Sequence, residues 1–599
     1  MTLEEKARLV CGISNFSVSG APSQNIPDIK VLDGGTGMNY EQLIGDLFTS
    51  WRENPRDEEE KELMKTQSAR EERNVIFNYF HPEKLSEREH TLWRKVRAYL
   101  KEQFINNTTN SETAVSHAEN GGDAAPDLMV PACFPAGMCL GATFNPEILN
   151  DVGHALGREA RAHGVKMLLG TPNINIHRDP LNGRLFEGFS EDPCLVSTLA
   201  PELVKGVEDE DVAANIKHFA ANNQEKNRQG INETISERAL NEIYFPGFKA
   251  CVEKAKPATV MAAYNKINGT ACTENKWLLG DILREKWGFK GLVVSDWGAA
   301  YNKVLALKAG NDLIMPGPVD PSEIIEAVNS GELKEEELDI NANRVLNLIN
   351  EYGTPGRYEM SAQYIMDMSE RAAYKAACEG IVMLKNENDI FPLRADGSNV
   401  GSDSVFRDTV SNKDSLPEVA LCGTGAVRLY DCGNGSAGIT TNKTSSIYEC
   451  LAENGVNVSV GIKSGQNGVN INTGITGIEK NFAMTYICVA RVPGMEGNDR
   501  KDLNLSPEDT EALNKMIGIK KENPSVKLGL ILNVSGPVEL SMWEKYLDGI
   551  FCIFLPGMEG GHAMADILCG RVNPSGKLPL TFPKKYQDTP TYLNFPGDG

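Results

Sequence analysis

The sequence predicts an α/β protein in which a (β/α)8-type barrel domain precedes an α/β sandwich domain. Two observations predict this class. Apolar runs of strand length alternate with helical runs across residues 130–352, and the same alternation returns across 419–557. Alternation of this kind is typical of a parallel sheet covered by helices. The chain has 599 residues, which exceeds the length of one ordinary domain.

The first domain is predicted to span residues 1–352. Its strand-like runs are VKMLLGTPNI (165–174), VAANIKHFAANN (212–223), ATVMAAYN (258–265) and GLVVSDWG (291–298), and helical patterns at 145–164 and 237–255 lie between them. Active residues of a barrel lie at the carboxyl ends of its strands. The polar residues found at or just beyond these ends are Arg184, Lys217, His218, Tyr264 and Asp296.

A charged, helix-prone stretch at about 40–128 interrupts this pattern and predicts a helical insertion. Its last part, 106–127, is polar and predicts a loop. The composition leaves two interpretations open. The insertion is either a solvated decoration, or a lid or oligomer contact.

Residues 353–375 are predicted to form a linker of turn residues followed by the start of a helix. The second domain, 376–599, contains the strand-like runs 419–426, 458–462, 486–494, 526–536 and 548–557. Short apolar strands between helices predict the α/β sandwich. The final segment, rich in Pro and Gly, predicts extended surface chain.

The composition narrows the class of partner. A net charge of −22 argues against a nucleic-acid or anionic-membrane partner. No window of 18 apolar residues predicts a membrane helix, and the absence of a basic region before an apolar run predicts a cytoplasmic protein. The 13 cysteines show no zinc spacing and are expected to be reduced, so no metal is predicted. No GK[ST] phosphate loop is present, which disfavours a nucleotide-using barrel.

Asp296 is a carboxylate that directly follows an apolar strand and precedes Trp297. Glycoside hydrolysis requires a carboxylate nucleophile and a second carboxyl group that acts as an acid. The neighbouring aromatic ring could stack on a sugar face. The alternative is that Asp296 caps the helix that follows.

Hydrogen-bond donors for a hydroxylated substrate are clustered in KHFAANNQEKNR, which contains Lys217, His218 and Arg228. A surface salt-bridge patch would give the same pattern. Arg184 follows Gly183, which predicts a tight turn that presents a guanidinium. Asp33 precedes a glycine pair, where a plain Asp-Gly turn is the alternative to a sugar contact.

Together these stretches resemble glycoside hydrolase family 3. The resemblance also rests on five further motifs: TLEEKARLVCG, FPAGMCLGATFNPEIL, EGIVMLKNE, GMEGNDRKDL and LPGMEGGHAMADILCGRVNPSGKLPLTFP. They occur along this sequence in the same order as in the family. It covers most of the chain and weakens at the insertion and at the Pro- and Gly-rich end. Many two-domain members continue into a third, fibronectin-like domain, so the resemblance leaves open whether this sequence is a short member or a fragment.

The resemblance implies roles for individual residues. Asp296 matches the nucleophile, and Glu496, on a loop of the second domain, matches the general acid/base. Locally, Glu496 could instead be a solvated glutamate beside an Asp499–Arg500 pair. The residues that match the sugar-holding set are Asp33, Arg184, Lys217, His218 and Arg228, and Tyr264 matches the tyrosine beside the nucleophile. Trp297 is a further candidate for substrate binding because of its position next to Asp296.

The resemblance also implies the reaction. It predicts a retaining exo-hydrolase that releases β-D-glucose from β-glucosides without a metal or organic cofactor. Asp33 favours glucosides, because xylose-acting relatives often have glutamate there. A β-xylosidase, an α-L-arabinofuranosidase and an inactive sugar-binding protein are the alternatives. The mechanism calls for a raised pKa at Glu496 and a low pKa at Asp296. A homo-oligomer is compatible with the sequence.

Overall fold

The first domain is built on a curled sheet. The computed structural model describes residues 1–53, 58–107, 130–353, 360–393, 418–460, 462–465, 468–471 and 484–597. The sheet has the order β1 (Ser17–Val18), β2 (Ile29–Asp33), β3 (Val165–Asn173), β4 (Ala213–Phe219), β6 (Thr259–Ala262) and β9 (Leu292–Ser295). All neighbours are parallel except β1 and β2, which are antiparallel.

Two bridging segments close this sheet into a ring. Val294 of β9 pairs with Leu313, Ile314 pairs with Cys11, and Gly12 pairs with Val18 of β1. The prediction of a barrel-type domain is therefore confirmed. The ring differs from eight regular parallel strands, because one strand is antiparallel and two positions are single bridges. A separate small sheet contains β5 (Asn232–Glu233), β7 (Lys266–Ile267) and β8 (Thr270–Ala271).

Helices surround the ring and follow the strands in the predicted order. They are α1 (Leu3–Leu9), α6 (Gly137–Ala142), α7 (Pro146–Ala162), α8 (Pro193–Glu208), α9 (Glu237–Ala239), α10 (Pro246–Lys254), α11 (Lys303–Ala309), α12 (Ser322–Ser330) and α13 (Glu335–Tyr352). Two π-helical segments, Leu240–Tyr244 and Trp277–Lys286, belong to the same layer. Helix α7 begins at Pro146, and Asn145 is its N-cap residue. The Asn145 side chain accepts a hydrogen bond from the Glu147 amide.

The insertion folds into helices that share the core of the barrel domain. They are α2 (Tyr40–Glu53), α3 (Glu58–Thr66), α4 (Ala69–Phe77) and α5 (Glu87–Asn107). The aromatic side chains of Phe48, Trp51, Tyr79 and Trp93 are buried in one cluster with residues of α7 and α8. Burial of this size stabilises the insertion, so it is more than a solvated decoration. Of the predicted polar loop 106–127, residues 108–127 lie outside the described residues.

The second domain contains a six-stranded sheet. Its order is β10 (Val382–Asn386), β17 (Gly549–Cys552), β16 (Leu528–Val534), β15 (Thr485–Val492), β11 (Glu418–Cys422) and β12 (Asn457–Val460). Only β10 is antiparallel to its neighbour. A hairpin of β13 (Ile462–Gly465) and β14 (Gly468–Ile471) stands apart. The buried strands are almost continuously apolar, as expected for a sheet covered on both faces.

Helices cover both faces of this sheet, which confirms the predicted sandwich. They are α14 (Ala362–Gly380), α15 (Ile447–Glu453), α16 (Pro507–Glu522) and α17 (Gly560–Leu568). One cluster joins α14, α15 and α17 to the sheet, and another joins α16 to it. The predicted linker 353–375 includes much of α14, and its residues 354–359 lie outside the described residues. None of the described helices is long and apolar enough to cross a membrane.

Candidate active site

The two domains enclose a cavity of about 650 Å³ at the carboxyl ends of the ring strands. Asp33 is the last residue of β2, Lys217 and His218 lie near the end of β4, and Asp296 follows β9. These four side chains are buried and line the cavity. Parallel strands end on the same rim, so residues distant in sequence meet there. The volume falls in the range of small-molecule sites.

Asp296 lies in this cavity with one carboxylate oxygen engaged and the other free. Its Oδ1 accepts a hydrogen bond of 2.8 Å from the Trp297 amide. Its Oδ2 has no hydrogen-bond partner among the described residues, and His218 Nε2 is 3.7 Å away. The alternative of a simple helix cap is not supported, because among the described residues Oδ1 accepts a hydrogen bond from the next residue alone. Asp296 thus lines the cavity with one carboxylate oxygen that accepts no hydrogen bond from the described residues.

The protonation of Asp296 differs from the expectation of a low pKa. Burial raises the pKa of Asp296 to about 6, against the opposing charges of Lys217 and Arg184. His218 contributes no positive charge, because burial and the charges of Arg184 and Lys217 lower its pKa well below the usual range. The expected low pKa is therefore not found, although a pKa of about 6 still leaves Asp296 ionised at neutral pH.

Asp33 is fixed by two partners. Lys217 Nζ donates to its Oδ1 at 2.7 Å, and Gln42 Nε2 donates to its Oδ2 at 2.7 Å. Gln42 Oε1 also accepts from the Asp33 amide at 2.9 Å, so one side chain holds both the backbone and the carboxylate. Burial opposes the charge of Lys217, but the ion pair with Asp33 outweighs it and raises the pKa of Lys217. The alternative of a plain Asp-Gly turn at Asp33 does not describe this arrangement.

Arg184 and Arg228 form the cationic side of the cavity. Arg184 makes a bidentate pair with Glu187, through Nε at 2.6 Å and an Nη at 2.7 Å. Arg228 donates to Glu225 at 2.7 Å, and its guanidinium lies 4.7 Å from the centre of the Tyr264 ring. Fork-like pairs of this kind orient a guanidinium rigidly. These residues are part of one buried network and not a surface patch.

Glu496 reaches the same cavity from the loop that follows β15. Its Oε1 accepts from Arg228 at 2.8 Å and lies 3.5 Å from Arg184, and its Oε2 accepts from the Ser436 amide at 2.6 Å. Its side chain is only 14% exposed. Glu496 is therefore not a solvated loop glutamate. Glu496 is the carboxylate that the second domain contributes to the cavity, whose first-domain carboxylates are Asp33, Glu41, Asp46 and Asp296.

The pKa of Glu496 is also opposite to the expectation. Burial alone would raise it, but the guanidinium groups of Arg184 and Arg228 and the Ser436 amide outweigh burial and hold the pKa well below its usual range. The expectation of a raised pKa is therefore wrong for the ligand-free cavity. Protonation of Glu496 requires weakening of these contacts.

Two aromatic residues complete the wall beside Asp296. Tyr264 is buried, and burial followed by the charge of Asp296 raises the pKa of its phenol. Trp297 donates from Nε1 to the Asn15 carbonyl at 3.1 Å and packs against Phe16 with ring centres 5.5 Å apart. Trp297 lines the cavity, so part of its surface faces the space for a ligand.

Contacts that the sequence analysis missed hold the two domains together near the cavity. Asp499 accepts from the amides of Gly183, Glu225 and Lys226 at 2.9–3.1 Å, and it is not paired with Arg500. A Cβ on Gly183 would lie 1.9 Å from the Asn498 carbonyl oxygen. The need for glycine thus arises from close approach of the other domain and not from a tight turn. No local pattern reveals such contacts across the domain interface.

The chain is similar to known proteins over nearly its whole length. Residues 88–348 match the sequence model of the glycosyl hydrolase family 3 N terminal domain, and residues 381–598 match that of the C-terminal domain. Thermostable beta-glucosidase B of Acetivibrio thermocellus is 40% identical over 78% of this chain and 60% of the relative. Exo-alpha-(1->6)-L-arabinopyranosidase of Bifidobacterium breve is 35% identical over 81% of this chain and 62% of that protein.

Solved structures of beta-glucosidases are also similar to this chain. Beta-glucosidase 3B of Thermotoga neapolitana, in complex with glucose, has a TM-score of 0.75 at 31% identity, covering 100% of this chain and 76% of that one. Its complex with glycerol has a TM-score of 0.76. The chain spans about 60% of the length of the two curated relatives named above.

Proposed function

The chain belongs to glycosyl hydrolase family 3, and from this we propose that it releases β-D-glucose from the non-reducing end of β-glucosides with retention of configuration. The observation that carries the proposal is that Asp296 and Glu496, contributed by different domains, line the same cavity. Two carboxyl groups are the minimum set for this hydrolysis.

In the proposed mechanism, Glu496 in its protonated form donates to the glycosidic oxygen as the bond to the anomeric carbon breaks. Asp296 attacks that carbon through its free oxygen and forms a glycosyl-enzyme. Glu496 then takes a proton from water, which hydrolyses the intermediate. Each carboxyl group acts twice, and two inversions give net retention. Retention calls for carboxyl groups about 5–5.5 Å apart.

Asp33, Lys217 and Arg184 supply the polar contacts proposed for the sugar. A carboxylate held between Lys217 and Gln42 is a fixed acceptor for hydroxyl groups, whereas Lys217 and Arg184 are donors. Trp297 offers a ring on which a sugar face can pack. A non-reducing end would enter this buried part of the cavity, which supports exo action.

The direct test is turnover of p-nitrophenyl glycosides, with β-D-glucoside compared with β-D-xyloside, α-L-arabinofuranoside and α-L-arabinopyranoside. We expect the highest kcat/KM with the glucoside and β-glucose as the first product seen by NMR. The arabinopyranoside belongs in the panel because the Bifidobacterium relative has that name. A higher kcat/KM with the arabinopyranoside would indicate an arabinopyranosidase instead of a β-glucosidase. Tight glucose binding without any turnover would indicate a sugar-binding protein and overturn the proposal.

Formation of the glycosyl-enzyme is expected to follow the titration of Asp296. The reagent is 2,4-dinitrophenyl 2-deoxy-2-fluoro-β-D-glucoside, whose leaving group needs no proton from Glu496. Since the attacking form is ionised and the pKa of Asp296 is about 6, the inactivation rate constant should fall as pH falls through that value. We expect a decrease of about tenfold from pH 7 to pH 5. A rate that stays constant down to pH 4 would contradict a raised pKa.

Gln42→Ala is expected to lower kcat/KM for glucosides more than for xylosides. The reason is that Gln42 fixes Asp33, which is proposed to bind the outer hydroxyls of a hexose. Loss of one such bond costs about 1 kcal/mol, so kcat/KM for the glucoside should fall roughly fivefold or more. The glucoside-to-xyloside ratio is the readout that a general loss of stability would not change. Glu41→Gln, on the same cavity wall, is the matched control and should keep the ratio. An unchanged ratio in Gln42→Ala would exclude this role.

A further inference from the structure

A cluster of soft and hard metal-binding groups lies on the second domain. Cys450 and Glu453 are on α15, and His562 is on α17. One donor atom from each of the three residues lies within 4.8 Å of the others. The two helices pack in the same hydrophobic cluster, so the three side chains are carried by a rigid pair of helices.

The imidazole of His562 is oriented by a fourth residue. Its Nδ1 lies 2.7 Å from Glu559 Oε2, and its Nε2 lies 3.9 Å from Glu453 Oε2. Histidine ligands of metals are typically held in this way: one ring nitrogen hydrogen-bonds a carboxylate while the other faces the ion. Glu559 thus holds Nδ1 and leaves Nε2 on the side of Glu453.

The donor types indicate the class of ion. A thiolate with an imidazole and a carboxylate suits Zn²⁺ or Co²⁺, whereas Mg²⁺ and Ca²⁺ favour sets made of oxygen alone. Access is open on one side: the side chains of Glu453 and His562 are 66% and 44% exposed. Cys450 is buried beneath them. Three protein ligands leave a fourth position for water.

We propose that Cys450, Glu453 and His562 bind one zinc-type divalent cation, with Glu559 orienting the histidine. The ion would join α15 to α17 and stabilise the second domain. The site is separate from the cavity that contains Asp296 and Glu496. Its residues form Cys-x-x-Glu and Glu-x-x-His pairs in two distant segments, which explains why no zinc spacing is visible in the sequence.

The test is titration of the whole metal-free chain with Co²⁺, whose thiolate complexes give a near-ultraviolet charge-transfer band. We expect the band to saturate at one Co²⁺ per chain and to disappear in Cys450→Ser. His562→Gln should weaken binding at least tenfold, and Glu559→Gln about 10–100-fold. Cys194→Ser is the matched control, because Cys194 is an exposed thiol on another helix, and it should keep the band.

A second readout is thermal unfolding with and without Zn²⁺. Wild type should gain roughly 5 °C in the transition of the second domain at Zn²⁺ a hundredfold above Kd, and Cys450→Ser should gain none. Equal glucoside turnover in the wild type and variants shows that they fold. A band that persists in Cys450→Ser, or the absence of stoichiometric binding by the folded wild type, would overturn the proposal and leave His562 as a partner of two glutamates.

Discussion

Asp296→Ala is expected to lower kcat/KM for the β-D-glucoside about 10⁴-fold or more, because it removes the group that forms the covalent intermediate. Asp296 lines the cavity, and its Oδ2 has no hydrogen-bond partner among the described residues. Azide can occupy the space left by the side chain and attack the anomeric carbon directly. The rescued product should then be the α-glucosyl azide, since a single displacement inverts the configuration. Product anomer and rate are measured together by NMR.

Asp46→Asn is the matched control for this substitution. Asp46 also lines the cavity, but its carboxylate already accepts from the Ser17 hydroxyl at 2.9 Å and from the Phe16 amide at 3.2 Å. Its replacement should cost far less activity and give no rescue by azide. Loss of activity as severe in Asp46→Asn as in Asp296→Ala, or a β-azide from Asp296→Ala, would contradict the assignment of the nucleophile.

A measurement of the free energy of unfolding distinguishes the loss of a catalytic group from the loss of the fold. The folded pKa of Asp296 is raised from 3.8 to about 6, so the charged carboxylate destabilises the folded state at pH 7. The isosteric Asp296→Asn removes that charge and should increase stability at pH 7, on the order of 2–3 kcal/mol. The gain should disappear below about pH 4, where Asp296 is protonated in both states. Unfolding followed by circular dichroism at the two pH values measures this.

The fold and the barrel half of the cavity were predictable from sequence for a physical reason. Asp33, Lys217 and Asp296 lie where apolar strands end, and parallel strands place their ends on one rim. Strand periodicity is a local signal, so the positions of these residues could be read directly. The helical pattern at 145–164 was visible in the same way, and α7 spans Pro146–Ala162.

The contacts between distant segments could not be read in this way. Gln42 meets Asp33 only because α2 of the insertion turns back onto β2. Asp499 binds three amides of the other domain, which no spacing reveals. The two pKa expectations failed for the same reason. Burial outweighs the charges of Lys217 and Arg184 at Asp296, whereas the charges of Arg184 and Arg228 outweigh burial at Glu496. Neither balance is a property of the local sequence.

Glu496→Ala is expected to lower kcat/KM most for substrates whose leaving group must be protonated as it departs. With p-nitrophenyl or natural aglycones, kcat/KM should fall about 10²–10⁴-fold, the usual contribution of general acid catalysis. With 2,4-dinitrophenyl β-D-glucoside, kcat/KM should fall much less, because that phenolate leaves unaided. Azide should restore turnover and give the β-glucosyl azide, since it attacks the glycosyl-enzyme formed on Asp296.

Glu225→Gln is the matched control, because Glu225 shares the Arg228 guanidinium with Glu496 but does not line the cavity. It should show the same loss with both leaving groups and no azide product. An equal decrease of kcat/KM for the two glucosides in Glu496→Ala would contradict the role of Glu496 as the acid. Because Arg184 and Arg228 hold Glu496 ionised in the free cavity, this comparison also tests whether bound substrate displaces those contacts. A functioning acid must regain its proton before the glycosidic bond breaks.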